Sequence, residues 1–231
     1  MSPEEHEDLI QRVISEVRPY SVVPNGGLEC TIAQAIEAIE ADIPGILVEC
    51  GVFKGGSSFA MLLAQRYFFG EIRRPVWMYD SFEGMGELSP EDGGHGRWWK
   101  ERSVNSSVDP DGVNFCIAPI EEVQEAAAAL DLTDHVTLIK GWYHDTLPIA
   151  KPEKIAVLRV DCDWYEPCQL VYRELVPLVS EGGRIIVDDY YAWEGCTLAT
   201  HEYLAEHKLP WYIRSAADLC GMYMIKGPAT W

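Results

Sequence analysis

Ile46-Leu47-Val48-Glu49-Cys50-Gly51-Val52-Phe53-Lys54-Gly55-Gly56-Ser57-Ser58 is an apolar run that ends in an acid and a glycine-punctuated turn; a helical pattern then runs to Phe69. A short buried strand feeding directly into a helix is the unit from which parallel sheets are built. The unit recurs along the chain. Ile46–Cys50, Val76–Asp80, Val136–Lys140 and Ile155–Val160 read as strands, with helices expected over 57–69, 121–130 and 167–179. Gly182-Gly183 is expected to break the last of these, and 184–187 forms a strand that runs into Asp188-Asp189. A helix over 197–207 and short strands over 211–214 and 221–226 close the chain, and helical patterns over 4–17 and 28–41 precede it. The order predicts an α/β fold: an N-terminal helical cap, 1–45, then a doubly wound, mostly parallel sheet domain, 46–231.

The 231 residues are 48% apolar and carry 37 acidic against 18 basic side chains, a formal net charge of −19. So few cations argue against nucleic acid and anionic membrane as partners, since both are bound by clustered Lys and Arg. No stretch approaches the roughly 18 apolar residues of a membrane span, and residues 1–16 lack an apolar signal core, so a cytoplasmic protein is expected. Seven cysteines with no C-x-x-C pair fit a reducing compartment better than a disulfide framework.

One segment breaks the alternation of strand and helix. Residues 81–112 contain Gly84, Gly86, Pro90, Gly93, Gly94, Gly96 and Pro110 with almost no apolar periodicity. A loop of that length in a compact domain is usually functional. Trp98-Trp99 would be ill placed in a solvated insertion, so a lid closing over a ligand is expected.

Ligands of open α/β sheets bind beyond the carboxyl ends of the strands. The first such end, Gly51 to Gly56, has the spacing G-x-x-x-G-G. This departs from both the dinucleotide fingerprint and the phosphate loop, and it suits either close backbone approach to a ligand or merely a tight turn. Asp80 ends the second strand, where it could hold a ribose diol or equally cap the turn at Ser81. Asp161 and Asp188-Asp189 are one strand–helix–strand unit apart, which brings their strand ends side by side. Three converging carboxylates repel one another unless a hard divalent cation joins them; the alternative is that they cap turns. His95 in the lid and His144 after the Val136–Lys140 strand are the histidines that could reach the site as a general base. No nucleophile elbow or zinc-protease motif is present.

Four segments in order, 48–57, Tyr79-Asp80-Ser81-Phe82-Glu83-Gly84, 158–166 (Leu-Arg-Val-Asp-Cys-Asp-Trp-Tyr-Glu) and 182–190 (Gly-Gly-Arg-Ile-Ile-Val-Asp-Asp-Tyr), resemble the macrocin O-methyltransferase family, the TylF-type deoxysugar O-methyltransferases of antibiotic pathways. The resemblance implies a class I, Rossmann-like S-adenosylmethionine-dependent fold. In it Glu49, Gly51, Val52, Gly55 and Ser57 surround the methionine part of the cofactor, Asp80 and Ser81 the ribose, and Gly141-Trp142 the adenine, with Asp145 and Ile120-Glu121 as further candidates. It also implies Mg²⁺ on Asp161, Asp188 and Asp189 together with two neighbouring sugar hydroxyls, Asp161 as general base, and a homo-oligomer. Cys162, Trp164 and the Pro167-Cys168 pair depart from the family pattern and would reshape the acceptor pocket. The acceptor implied is a glycosylated small molecule, with a neutral or amino-bearing sugar better suited to an acidic protein than an anionic one. The competing classes are a methyltransferase-like nucleoside-binding protein without turnover and, disfavoured by the glycine spacing, a nicotinamide oxidoreductase.

Overall fold

The computed structural model describes residues 2–105 and 116–227, with the backbone alone for 100–105. Its seven-stranded sheet contains β1 (Ile46–Cys50), β2 (Val76–Asp80), β3 (Val136–Lys140), β4 (Ile155–Val160), β5 (Val179–Val187), β6 (Arg214–Ser215) and β7 (Met222–Ile225), in the order β3-β2-β1-β4-β5-β7-β6. The first five strands pair in parallel and β7 runs antiparallel to both β5 and β6. After β3 the chain returns to the other side of β1, so the order reverses between β1 and β4. That reversal opens a crevice at their carboxyl ends.

The helices are α1 (Pro3–Val17), α2 (Asn25–Glu40), α3 (Gly56–Phe69), α4 (Gly93–Asn105), α5 (Ile120–Ala129), α6 (Tyr143–Thr146), α7 (Tyr165–Leu175) and α8 (Glu194–Glu206). Period-two alternation sends successive strand residues to opposite faces. Leu47, Met78 and Ile186 point into a core shared with α1, α2, α3 and α5, whereas Val48, Cys50, Leu158, Val160 and Val187 join α7 and α8 on the other side. The same alternation puts Glu49 and Arg159 on the α2–α3 side, where each is fully enclosed. The two N-terminal helices are thus a packing layer of the sheet: Ile32, Ala35 and Ile36 of α2 share one core with Met61 and Leu62 of α3. Ser2 starts α1 with a reciprocal cap, its Oγ accepting from the Glu5 amide at 3.1 Å while its own N–H donates to the Glu5 carboxylate at 2.6 Å.

Several element ends differ from expectation. The helix expected over 167–179 is α7, which starts at Tyr165 and stops at Leu175, ahead of Pro177. Pro167 is tolerated in its first turn, where a missing N–H leaves no bond unmade. Gly182-Gly183 does not end that helix; it lies inside β5, with Gly182 at φ +78°. The strand expected over 211–214 shrinks to Arg214–Ser215 at the sheet edge. The largest difference is in the lid segment, which contains a turn of 3-10 helix, Pro90–Asp92, and then the 13-residue α4. Its low apolar content hid a helix whose described contacts are concentrated on a few aromatic rings. The remainder of that segment, 106–112, lies outside the described residues.

Candidate active site

The crevice between β1 and β4 opens into a cavity of about 610 Å³, within the roughly 300–1,000 Å³ range of small-molecule sites. Gly51, Val52, Asp80, Ser81, Gly141 and Trp142 line it, as do Asp161, Asp188, Asp189 and His144. Glu49, Gly55 and Ser57 do not. Glu49 and Ser57 are buried behind the wall, and Gly55 is the left-handed N-cap of α3, at φ +90°. The start of α3 is covered, since a Cβ on Gly56 would come within 2.6 Å of the Tyr20 carbonyl oxygen.

Gly51 shows why this loop needs glycine. Its φ is +87°, and a Cβ there would sit 1.7 Å from the carbonyl oxygen of Asp161. Strand ends β1 and β4 close on each other only because that atom is missing, with the Asp161 N–H donating to the Cys50 carbonyl at 2.8 Å. Asp80 braces the same loop from β2. One oxygen accepts from the amides of Val52 at 2.6 Å and Phe53 at 3.2 Å, and the other from Phe82 at 2.8 Å. Burial raises its pKa above the ordinary carboxylate value, opposed by those three bonds. Asp80 caps the turn that follows, as one reading of the sequence expected, and it also lines the cavity.

Beneath the cavity floor Arg159 joins four elements. Its Nη1 donates to Glu49 at 2.8 Å and to Asp161 Oδ2 at 2.5 Å, its Nη2 to Asp188 Oδ1, and its Nε to Thr31 of α2 at 3.4 Å. Glu49 also accepts from Ser58 of α3. One guanidinium therefore serves three carboxylates, and burial still pushes Glu49 and Asp188 up to about 7.

The acids expected to converge do so with one exchange. Ligand atoms of Asp161, Asp163 and Asp189 lie within 4.8 Å of one another, while Asp188, on the same wall, is turned onto Arg159. Asp163, which a solvated turn would have explained equally well, is half-buried at φ +56°. Its N–H donates to Asp189 Oδ2 at 3.2 Å. Burial, and after it repulsion from neighbouring acids (Asp161 on Asp163; Asp163 and Asp161 on Asp189), drives the carboxyls of Asp163 and Asp189 well above the usual range. Among the described residues neither acid has an ion pair with a Lys or Arg.

His144 stands exposed on the cavity wall, its Nε2 3.3 Å from Asp145, which does not line the cavity. His95, the other candidate base, is elsewhere: its ring lies 5.0 Å from Trp193 and 5.9 Å from Trp98. The segment expected to form a lid packs against α7 and α8 through the residues that follow. Buried Asp92 accepts from the first amide of α7, Tyr165, at 2.6 Å and from Ser89 N–H at 2.7 Å, and Glu194 of α8 accepts from the His95 amide at 3.2 Å. Trp99 meets Trp164 and Trp193 edge-on at 6.0 and 5.7 Å, whereas Trp98 is half-exposed. Of the paired tryptophans, then, Trp99 is the one whose ring packs between α4 and Trp164 and Trp193.

Sequence reasoning assigned no role to Arg159, Asp163, Asp92 or Trp193. A charged residue inside the otherwise apolar Ile155–Val160 strand was a signal for Arg159, and i, i+2 spacing from Asp161 was one for Asp163. Nothing local marks Asp92 or Trp193.

A family model described as macrocin O-methyltransferase (TylF) matches residues 20–226. The chain is 38% identical over 172 residues to the 8-demethyl-8-(2,3-dimethoxy-alpha-L-rhamnosyl)-tetracenomycin-C 4'-O-methyltransferase of Streptomyces olivaceus, covering 73% of this chain and 61% of that protein. It is also 38% identical over 178 residues to the demethyldecarbamoylnovobiocin O-methyltransferase of Streptomyces niveus, 76% and 64% of the respective chains. The chain thus spans a little over three-fifths of the length of these curated relatives. The solved structure of the O-methyltransferase NovP superposes with a TM-score of 0.78 at 30% identity, over 90% of this chain and 83% of that one. With four motifs set around one cavity, a sheet of matching build and a family model covering most of its length, the chain belongs to the macrocin O-methyltransferase family.

Proposed function

We propose that the protein is an S-adenosylmethionine-dependent O-methyltransferase that uses Mg²⁺ to methylate a hydroxyl of a vicinal diol on the sugar of a glycosylated secondary metabolite. The observation that carries the proposal is the acid cluster of Asp161, Asp163 and Asp189, in which Arg159 pairs with Asp161 and neither of the other two has an ion pair with a Lys or Arg among the described residues, in the same cavity as the Gly51 loop and Asp80. Three hard oxygen donors sharing a single neighbouring cation suit a divalent ion. Asp161 and Asp189 would hold it, with Asp188 or Asp163 as the third carboxylate. Asp80 and Ser81 would take the ribose, the Gly51-Val52 backbone the methionine part, and Trp142 the adenine face. When bound, S-adenosylmethionine supplies an activated methyl group, and Mg²⁺ lowers the cost of deprotonating an alcohol.

The rest falls to the chain. Arg159 fixes Asp161 through Oδ2 and leaves Oδ1 to accept the hydroxyl proton. His144, on the cavity wall, is the second candidate for that proton. The docked lid excludes water and narrows the poses open to the acceptor. Seven carboxylates (Asp80, Glu87, Asp161, Asp163, Glu166, Asp188 and Asp189) and, among the described residues, no Lys or Arg line the cavity. That balance favours a neutral or amino-bearing sugar over a phosphorylated one.

Calorimetry with S-adenosylhomocysteine tests the cofactor half of the proposal. Micromolar binding is expected, weakened about tenfold or more in Asp80→Asn, the scale of one hydrogen bond to a charged group. Absence of heat at any micromolar concentration would remove the cofactor and the proposal with it.

A further inference from the structure

Trp193 sits between the lid and the acid cluster without lining the cavity itself. It immediately precedes α8, and its half-buried indole packs 5.7 Å from Trp99 of α4, 5.0 Å from His95 of α4 and 5.3 Å from Trp164. Its Nε1–H donates to Oδ1 of Asp163 at 3.1 Å. Asp163 in turn donates its own amide to Asp189. The next residue, Glu194, accepts the His95 amide, so the lid grips the chain at two successive positions. A continuous series of contacts therefore runs from α4 through one indole to one carboxylate oxygen.

We propose that Trp193 is a positioning residue through which the docked lid helix orients the carboxylate of Asp163. The physical basis is a bond with only one good direction. An indole N–H is a single donor fixed in the plane of a rigid ring, so ring placement determines where the hydrogen points. Trp99 and His95 set that placement from the lid side. With α4 docked, Oδ1 of Asp163 is engaged and the carboxylate is held beside Asp161 and Asp189; with α4 displaced, the ring loses two of its packing partners and the carboxylate its restraint. Acceptor enclosure and completion of the acid cluster would then be one event. The consequence for cation affinity rests on the Mg²⁺ reading above; the coupling between lid and carboxylate does not.

Two measurements separate these. Nitrogen-15 spectra of the indole groups report the bond directly, the Trp193 resonance being identified by its loss in Trp193→Phe. In Trp99→Ala and in Asp163→Asn that resonance is expected to shift and its hydrogen to exchange faster. The affinity for Mn²⁺ alone, titrated by electron paramagnetic resonance, is expected to fall ~10-fold in Trp193→Phe, the low end for loss of an outer-sphere partner. In an Asp163→Asn background the same change should cost nothing further. An unchanged Trp193 resonance in Trp99→Ala overturns the proposal, as does an equal loss of Mn²⁺ affinity from Trp193→Phe with and without Asp163. If the wild type takes up no Mn²⁺ yet the resonance responds as expected, the positioning role stands and the metal reading falls.

Discussion

Replacing Arg159 with Met is expected to cost about 3–5 kcal/mol of unfolding free energy, the usual consequence of removing one partner from a buried ion pair. The guanidinium is completely enclosed and is the only cation paired with Glu49, Asp161 and Asp188 among the described residues. Met fills similar volume, so the loss is one of charge and not of packing. Burial already pushes Glu49 and Asp188 up to about 7 with Arg159 in place, because it outweighs the pairing. Without it their folded-state values move higher still. A carboxyl whose folded pKa is raised loses stability as pH climbs from the unfolded value to the folded one, so the deficit relative to wild type should widen above about pH 7. Urea titrations at pH 6 and pH 8 measure this; an equal deficit at both would mean that Arg159 acts through shape alone.

Asp161→Asn is expected to lower kcat by about 10²–10⁴, the range associated with loss of a general base. Asparagine can still accept from Arg159 through its carbonyl oxygen, so the fold and the Gly51 contact should survive. What disappears is the basic oxygen and one negative charge from the cluster. Binding of S-adenosylhomocysteine should change little, because Asp80 and the Gly51 loop remain intact. If His144 takes the proton instead, His144→Asn produces the larger fall and Asp161→Asn chiefly weakens the response to Mg²⁺. Turnover of the two variants over a Mg²⁺ titration distinguishes these roles.

The sheet was largely legible from the sequence because its information is local. β1, β2, β3 and β4 are short runs of apolar and β-branched residues closed by turn signals, and all four lie where the pattern places them. The acids at strand ends were legible for the same reason, since topology alone brings Asp161 beside Asp189. The exchange of Asp188 for Asp163 was not, because it depends on where Arg159 points, and that is set by Glu49 and Thr31, 110 and 128 residues away. The role of Gly51 was half read: a ligand or a turn could explain it, but the decisive neighbour is the backbone of Asp161. α4 escaped notice because it has no apolar stripe; it is held by Asp92, His95 and Trp99 against residues of α7 and α8. Long-range pairing, not local propensity, decides such an element.

The central claim is tested most directly by following the labelled methyl group of S-adenosylmethionine into a panel of neutral and amino-sugar glycosides that carry adjacent hydroxyls, with Mg²⁺ present and after chelation. Transfer to a sugar oxygen that ceases on chelation and returns with added Mg²⁺ is the predicted result. Label transfer that persists undiminished without a divalent ion, or a protein that binds S-adenosylhomocysteine yet labels none of these acceptors, would contradict it.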